Sequence, residues 1–380
     1  MKMLVLGAGL QGCACAYDLC QVPTVSKVTI ADLRKPALPK FLQPFLGNKL
    51  ELVPLDVTDN AVLKKLMSAH DAAMSAIPYY YNEPAARAAV EVGIHFCDLG
   101  GNTEIVFQQK RLHEVALSKQ ISIIPDCGLA PGMVNILAGE GIRRLDKVER
   151  VKIYVGGLPQ NPEPPLNYQI VYSLEGALDY YSTPTWVLRD GKRAQVEALT
   201  EIEMLDLPSP VGKLEAFHTA GGISTLPWAW EGKMAVMEYK TLRYPGHAHI
   251  MKAIRDLGLI DLQPLEVKGA HVVPRDVFIA AVQPQLHKPE GRDLVALRVD
   301  VTGEKGGKPQ KVSFQLLDYY DTDRRISAMM RTTGYSLAIT GLMQVDGRVK
   351  AKGVLTPDES VPFTEYVAEL ATRGVEIREV

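Results

Sequence analysis

Residues 1–20 read MKMLVLGAGLQGCACAYDLC. An apolar run leads into Gly7, Gly9 and Gly12, and small residues, Cys13–Ala16, follow. GAGLQG fits the pattern G-x-G-x-x-G, which alone is a weak signal. Its surroundings strengthen it. The pattern predicts a strand over Lys2–Leu6, a helix over Leu10–Leu19, and Asp32 at the end of the next strand, Lys27–Asp32. That is the setting of a dinucleotide-binding turn. Gly7 allows the tight turn, Gly9 lets backbone approach a pyrophosphate, and Gly12 lets the helix lie close on the sheet. The helix N-terminus offers free N–H groups and partial positive charge to phosphates. Asp32 would accept from the adenosine ribose hydroxyls and repel a 2′-phosphate, which predicts NAD over NADP. Arg34 keeps the second cofactor open. The bland alternative is a glycine turn that holds nothing.

The same rhythm continues outward. Strands are predicted over Leu50–Asp56, Ala72–Ile77, His95–Leu99 and Ile121–Asp126. Helices are predicted over Asn60–His70, Glu83–Glu91, Glu104–Ser118 and Met133–Arg143, with Asp59 and Asn82 as caps. Prolines at 36, 39 and 44 break any helix in that stretch. Alternating strands and helices imply an α/β, doubly wound parallel sheet of the Rossmann kind. Ligands bind beyond the carboxyl ends of such strands. The predicted cofactor-binding set is therefore Gly7, Gly9, Leu10, Gln11, Gly12, Asp32, Asp56, Val57, Ser75, Ile77, Pro78 and Leu99. Asp98 and Asp126 point toward the redox end, each as a functional group or a helix cap. Tyr79–Tyr81 read mainly as core.

At 380 residues the chain is too long for one ordinary core. Residues 1–146 read as the dinucleotide-binding domain and 147–328 as an α+β substrate and oligomerisation domain. Residues 329–380 read as a tail that returns to the first domain. Leu265–Val273, Leu294–Thr302 and Gln310–Tyr319 are expected as strands of an antiparallel sheet.

A net charge of −2 gives no electrostatic reason to bind nucleic acid or an acidic membrane. No apolar stretch suits a membrane span or a signal peptide. The five cysteines fit neither disulfides nor a zinc site, which points to buried thiols in a reducing cytoplasm. His247 and His249 lack companions for a metal, so none is expected.

Several stretches from residue 124 onward carry a resemblance: IPDCGLAPGMVNILAG, VGGLPQNPEPPLNYQIVYSLEGALDYY, LEAFHTAGGISTLP, EYKTLRYPGH and GVLTPDE. They resemble the saccharopine dehydrogenase-like family, most of all its lysine 6-dehydrogenase branch. The resemblance implies a cofactor domain and a substrate domain either side of a cleft, in a dimer or larger homo-oligomer. It implies NAD-dependent oxidation of the L-lysine ε-amine to 2-aminoadipate 6-semialdehyde, which cyclises to piperideine-6-carboxylate, with ammonia released. Such a site needs a cation for the substrate carboxylate, acceptors for ammonium groups and a base. Arg243 suits the carboxylate, with Lys240 in reserve. Glu175, Glu215 and Thr219 suit the substrate's polar groups. His218 is the candidate base and Asp98 its rival. Trp228 and Trp230 are candidate pocket walls, although PWAW departs from the family pattern. The alternatives are a saccharopine- or carboxynorspermidine-type dehydrogenase, acting on a secondary amine, and a non-catalytic NAD(H)-binding protein.

Overall fold

The computed structural model describes residues 1–380. Six parallel strands form the first sheet: β1 (Lys2–Leu6), β2 (Lys27–Asp32), β3 (Leu50–Pro54), β4 (Ala72–Ser75), β5 (His95–Asp98) and β6 (Ser122–Ile124). Helices α1 (Leu10–Gln21), α2 (Asn60–Met67), α3 (Asn82–Val92), α4 (Thr103–Lys110), α5 (His113–Ser118) and α6 (Met133–Arg143) follow in chain order. The strand order is 3-2-1-4-5-6, so the doubly wound reading holds. The order reverses between β1 and β4, which places the ligand crevice at their carboxyl ends.

Two local expectations differ. The helix expected over 104–118 is two helices, with Asn102 capping the first. Asp59 caps α2 through Ala61 and Val62 as expected. Asn82, however, lies inside α3, and its Oδ1 accepts from Ser75 Oγ at 2.8 Å.

The second sheet has nine strands. It begins with β7 (Lys147–Pro159), and after α7 (Leu174–Ser182) come β8 (Thr185–Arg189), β9 (Lys192–Val196), β10 (Glu203–Leu207) and β11 (Gly212–His218). Then follow α8 (Leu226–Trp230), β12 (Val236–Arg243) and α9 (His247–Asp256). Strand β12 runs parallel to β7 and antiparallel to β11. Residues 265–273 do not join this sheet. Lys268 and Gly269 both have positive φ, the signature of a type I′ turn, and fold them into an isolated hairpin of β13 (Leu265–Val267) and β14 (Ala270–Val272). After α10 (Pro274–Leu286), β15 (Asp293–Lys305) and β16 (Lys308–Tyr319) pair as the expected antiparallel hairpin.

The last 55 or so residues hold the two sheets together. Helix α11 (Ala328–Val345) is buried along almost its whole length and packs on α1, β4 and β5 on one side and β15 on the other. Its small residues allow that. A Cβ on Gly334 would lie 2.6 Å from Ala14 Cβ, and one on Gly341 would lie 2.6 Å from Met74 Sδ. The Asp293 carboxylate caps α11 through the amides of Ala328 and Met329, at 2.8 and 2.9 Å. Beyond it, β17 (Gly353–Val354) adds a seventh parallel strand beside β6. Then come α12 (Pro357–Ser360) and α13 (Phe363–Thr372), and β18 (Arg378–Glu379) pairs with β16. One apolar core therefore runs from Met3 and Cys15 through Leu337 to Val299 and Phe314. All five cysteines are free and buried in it or beside it.

Candidate active site

The glycine turn is built as its sequence requires. Gly7 has φ +99°, and a Cβ there would lie 2.7 Å from the Ala76 carbonyl oxygen. A Cβ on Gly12 would lie 2.0 Å from the Gly7 carbonyl oxygen. Beside Gly9 the space is open, with no atom within 4 Å of a Cβ. No side chain caps the start of α1. Both polar atoms of the Gln11 side chain are buried without a partner. An uncapped helix start, an open approach and an orphaned amide are what a dinucleotide's phosphates and carboxamide would fill. Asp32 accepts from Ala8 N at 2.8 Å and Arg34 N at 3.0 Å, one bond to each oxygen. Each oxygen keeps a lone pair for a ribose hydroxyl.

Other predicted cofactor residues divide. Ile77, Pro78 and Leu99 line the cleft described below, with Gln11. Leu10 is half exposed at the helix start, and Val57 packs beside the core. Asp56 is exposed and turns one oxygen back onto Thr58, which stabilises its own loop. Ser75 does not line the groove: it is fully buried and spent on Asn82. Tyr79 and Tyr80 are not core residues. They form a short 3₁₀ turn that borders the cleft.

That cleft, of about 490 Å³, opens where the crevice between β1 and β4 meets the second sheet. Ile77, Pro78, Leu99 and Gly100 form the wall from the first sheet. Val155 and Gly157 of β7, and Tyr239, Thr241 and Arg243 of β12, form the floor. Tyr172, Glu175 and Tyr180 close it from the α7 side, and Met329 and Thr333 from α11. Thr219 lies beside Thr241, their hydroxyls 2.7 Å apart.

Arg243 is the only cationic side chain among these lining residues. It is 2% exposed and forms no ion pair with any carboxylate. Its hydrogen bonds run from Nη1 to the carbonyls of Leu242 and Gly157, at 2.9 and 3.4 Å, while Nε has no partner. Its guanidinium carbon stands 4.9 Å from the centre of the Tyr168 ring. Burial works against its charge, but a guanidinium stays protonated all the same, and the Tyr181, Tyr168 and Tyr172 rings stand around it. A buried guanidinium with a free edge and no counter-ion is an anion site in waiting.

The other expected side chains are elsewhere, and strand alternation is the reason. On β12, Tyr239, Thr241 and Arg243 share the cleft face, so Glu238 and Lys240 point to the opposite face. Lys240 Nζ bonds the Glu201 carbonyl at 2.7 Å and Glu203 at 2.9 Å. His218 pairs in register with Lys240 and shares that far face. Its Nε2 stands 3.1 Å from Glu201, and burial lowers its pKa. His218 is therefore not a base for the cleft, and Lys240 does not reach it. Glu201, His218 and Glu238 are close enough together to hold a metal ion. The Arg189 guanidinium already stands among them, 2.8 Å from Glu201, 3.3 Å from His218 and 2.6 Å from Glu238.

Glu215 caps α9, accepting from Gly246 N at 2.9 Å and Ala248 N at 2.5 Å, so it is not free for substrate. Asp98 accepts from Gln109 at 2.6 Å, Gly100 N at 2.7 Å and Asp126 N at 3.4 Å. Burial pushes its carboxyl up to about 6, but its partners fix it as a brace for the loop. Trp228 packs on Phe107 and Trp186, and neither it nor Trp230 lines the cleft. His247 is a buried core residue stacked on Phe217, with its ring nitrogens bonded to Leu166 and Tyr181. The residues not anticipated are the phenols of Tyr172, Tyr180 and Tyr239. Reading EYKTLRYPGH as a strand of period two would have found Tyr239.

Residues 3–124 match the family described as saccharopine dehydrogenase NADP binding domain, and residues 128–375 match saccharopine dehydrogenase C-terminal domain. The saccharopine dehydrogenase [NADP(+), L-glutamate-forming] of Schizosaccharomyces pombe is 21% identical, over 86% of this chain and 88% of that one. Its Saccharomyces cerevisiae namesake is 24% identical over 88% and 87%. The mouse alpha-aminoadipic semialdehyde synthase is 24% identical over 87% of this chain, which spans only 43% of that protein. In structure, the apo saccharopine dehydrogenase (L-Glu forming) of S. cerevisiae shares the fold, with a TM-score of 0.80 over 100% of this chain and 99% of that one, at 20% identity. The homospermidine synthase of Legionella pneumophila, in complex with NAD, shares it with a TM-score of 0.68. With both halves of the chain matched, it belongs to the saccharopine dehydrogenase family, as an NAD(P)-dependent oxidoreductase.

Proposed function

We propose that this chain oxidises a carbon–nitrogen bond of an amino acid, with the substrate carboxylate held by Arg243 and the reacting carbon facing Ile77, Pro78 and Leu99. The cofactor supplies a hydride acceptor when bound. The protein's part is to orient the amino acid, exclude water and accept a proton. The free edge of the Arg243 guanidinium is the observation that carries this reading. L-Lysine, oxidised at its ε-amine, fits a cleft lined by a single cation and by the unpaired carboxylate of Glu175. Arg243 would hold its carboxylate, and Glu175 with Thr219 would receive its α-ammonium. NAD is favoured by Asp32.

A second reading has its own support. The curated relatives named above are called saccharopine dehydrogenases and alpha-aminoadipic semialdehyde synthases, which favours a secondary amine such as saccharopine as substrate. Saccharopine carries three carboxylates, and Arg243 alone would have to serve them. NAD(P)H formation with L-lysine, saccharopine and polyamines, each with NAD and with NADP, separates the readings. Turnover of lysine alone supports the first, and turnover of saccharopine alone supports the second. If neither compound is oxidised with either cofactor, both fail.

A further inference from the structure

Between α9 and α10 the chain leaves the body of the fold. Every residue from 261 to 271 is exposed. The excursion is tied at its root, where Arg275 N donates to the Asp261 carbonyl at 3.1 Å and Arg275 Nε to that of Ile260 at 2.9 Å. Arg275 also pairs with Asp179, which fixes the root to α7. Beyond the root, no hydrogen bond joins residues 262–272 to the rest of the chain. What projects is the hairpin β13–β14. Its register pairs Leu265 with Val272, Glu266 with His271 and Val267 with Ala270. Directly opposed residues share a face, so Leu265, Val267, Ala270 and Val272 form an apolar face, and Glu266 and His271 a polar one. A lone two-stranded hairpin is marginal in water. This one has both outer edges unpaired and its apolar face uncovered.

The root carries more apolar surface. Leu257, Leu259, Leu262 and Val277 are, like Leu265 and Val267, about half exposed or more. No other stretch of similar length holds more than two exposed large apolar side chains, so the surface is concentrated here. The exposed parts of these six side chains amount to on the order of 500 Å² per copy and about 1,000 Å² in a pair, the floor for a specific interface. Charge complements the apolar surface. Lys268 stands at the hairpin turn, and Asp261 and Asp276 stand at the root. Lys252 and Arg255 are already paired with Asp256, and Arg275 with Asp179, so these three charges are not neutralised within the chain. Tip and root thus carry opposite charges on one chain, with apolar surface on both.

We propose that the β13–β14 arm clasps a second copy of this chain about a two-fold axis. Its apolar face lies on Leu257, Leu259 and Val277 of the partner subunit, with Lys268 beside Asp276 of the partner subunit. Such a contact uses the same surface on both copies, so it closes on itself and recruits no third copy. The clasp does not depend on which amine is oxidised.

Sedimentation velocity and light scattering of the full chain test this. The wild-type protein should contain an even number of copies. Leu265→Asp combined with Val267→Asp should halve that mass, as the dissociation constant rises roughly 10²-fold or more. Neither residue lines the cleft, so the melting curve and NADH binding should stay as in wild type. A second readout uses the wild-type chain alone. Hydrogen exchange at the amides of residues 265–272, exposed in the single chain, should be slow wherever the mass is that of a pair. A wild-type mass of one chain overturns the proposal, as does a mass that the double variant leaves unchanged. Rapid exchange of the hairpin in the paired protein overturns it too. A single chain that floats with phosphatidylcholine vesicles would overturn it by assigning the apolar face to a membrane surface.

Discussion

Replacing Arg243 by methionine separates a substrate clamp from a structural ion pair, because the two roles change stability by different amounts. The guanidinium keeps one edge free, with Nε unpartnered and both of its hydrogen bonds leaving from Nη1. A carboxylate on that edge would accept two charge-assisted hydrogen bonds, each worth about 1.5–3 kcal/mol. Their loss should lower kcat/KM for the amino acid by roughly 10²–10⁴-fold, at about 1.4 kcal/mol per tenfold. KM for the dinucleotide should stay within about twofold, since β1, α1 and the end of β2 hold it. The empty protein should lose little stability. Methionine fills similar volume and removes an uncompensated buried charge, whereas breaking a buried ion pair typically costs about 3–5 kcal/mol. The lost cation–π contact with Tyr168 offsets part of that gain, by about 0.5–2 kcal/mol. Arg243→Lys keeps the charge but not the fork and should recover only part of the activity. Steady-state kinetics and urea unfolding of the substrate-free protein read both quantities. An unchanged KM with a loss above about 3 kcal/mol would refute the clamp.

Gly12→Ala should abolish dinucleotide binding by nucleotide-fluorescence titration, because its Cβ would stand 2.0 Å from the Gly7 carbonyl oxygen and displace the turn. His218→Asn should leave kcat and KM within about twofold while lowering the melting temperature, as it loosens the Glu201–Arg189–Glu238 cluster on the far face. Asp126→Asn should change how stability depends on pH. The folded carboxyl, near 7, lies above its unfolded value of about 3.9, so the native state binds the proton more tightly. Asp126's contribution to stability is then fully present below pH ~4 and lost as pH rises through about 7. The variant should match wild type near pH 4 and exceed it at pH 8, by at most roughly 4 kcal/mol. A difference that does not vary with pH in urea titrations would contradict the shift.

The first sheet was legible because its signals are local. The glycine spacing, Asp32 at the next strand's end and the alternation of strand and helix each follow from short-range geometry. The cleft was harder, because its residues come from β4, β5, β7, β12, α7 and α11 and meet only in three dimensions. Arg243 was found through chemical type and resemblance. Lys240 and His218 were misplaced because nearness in sequence on a strand means opposite faces, a rule of period two that the local motif hides. Glu215 looked like an ammonium acceptor, yet the start of α9 competes for the same oxygens. Asp98 and Asp126 look alike at the ends of adjacent strands. Only their donors tell them apart: Gly100 and Gln109 serve Asp98, while Asp126 faces Ser224 and the Gly101 amide.

The most direct measurement follows the hydride itself. Incubating the protein with L-lysine deuterated at the ε-carbon and with NAD, and reading the nicotinamide by mass spectrometry and NMR, should show one deuterium at C4 of NADH and ammonia in equal amount. NADH without deuterium, or label that appears only when deuterated saccharopine replaces lysine, would contradict oxidation of a primary amine in the Arg243 cleft.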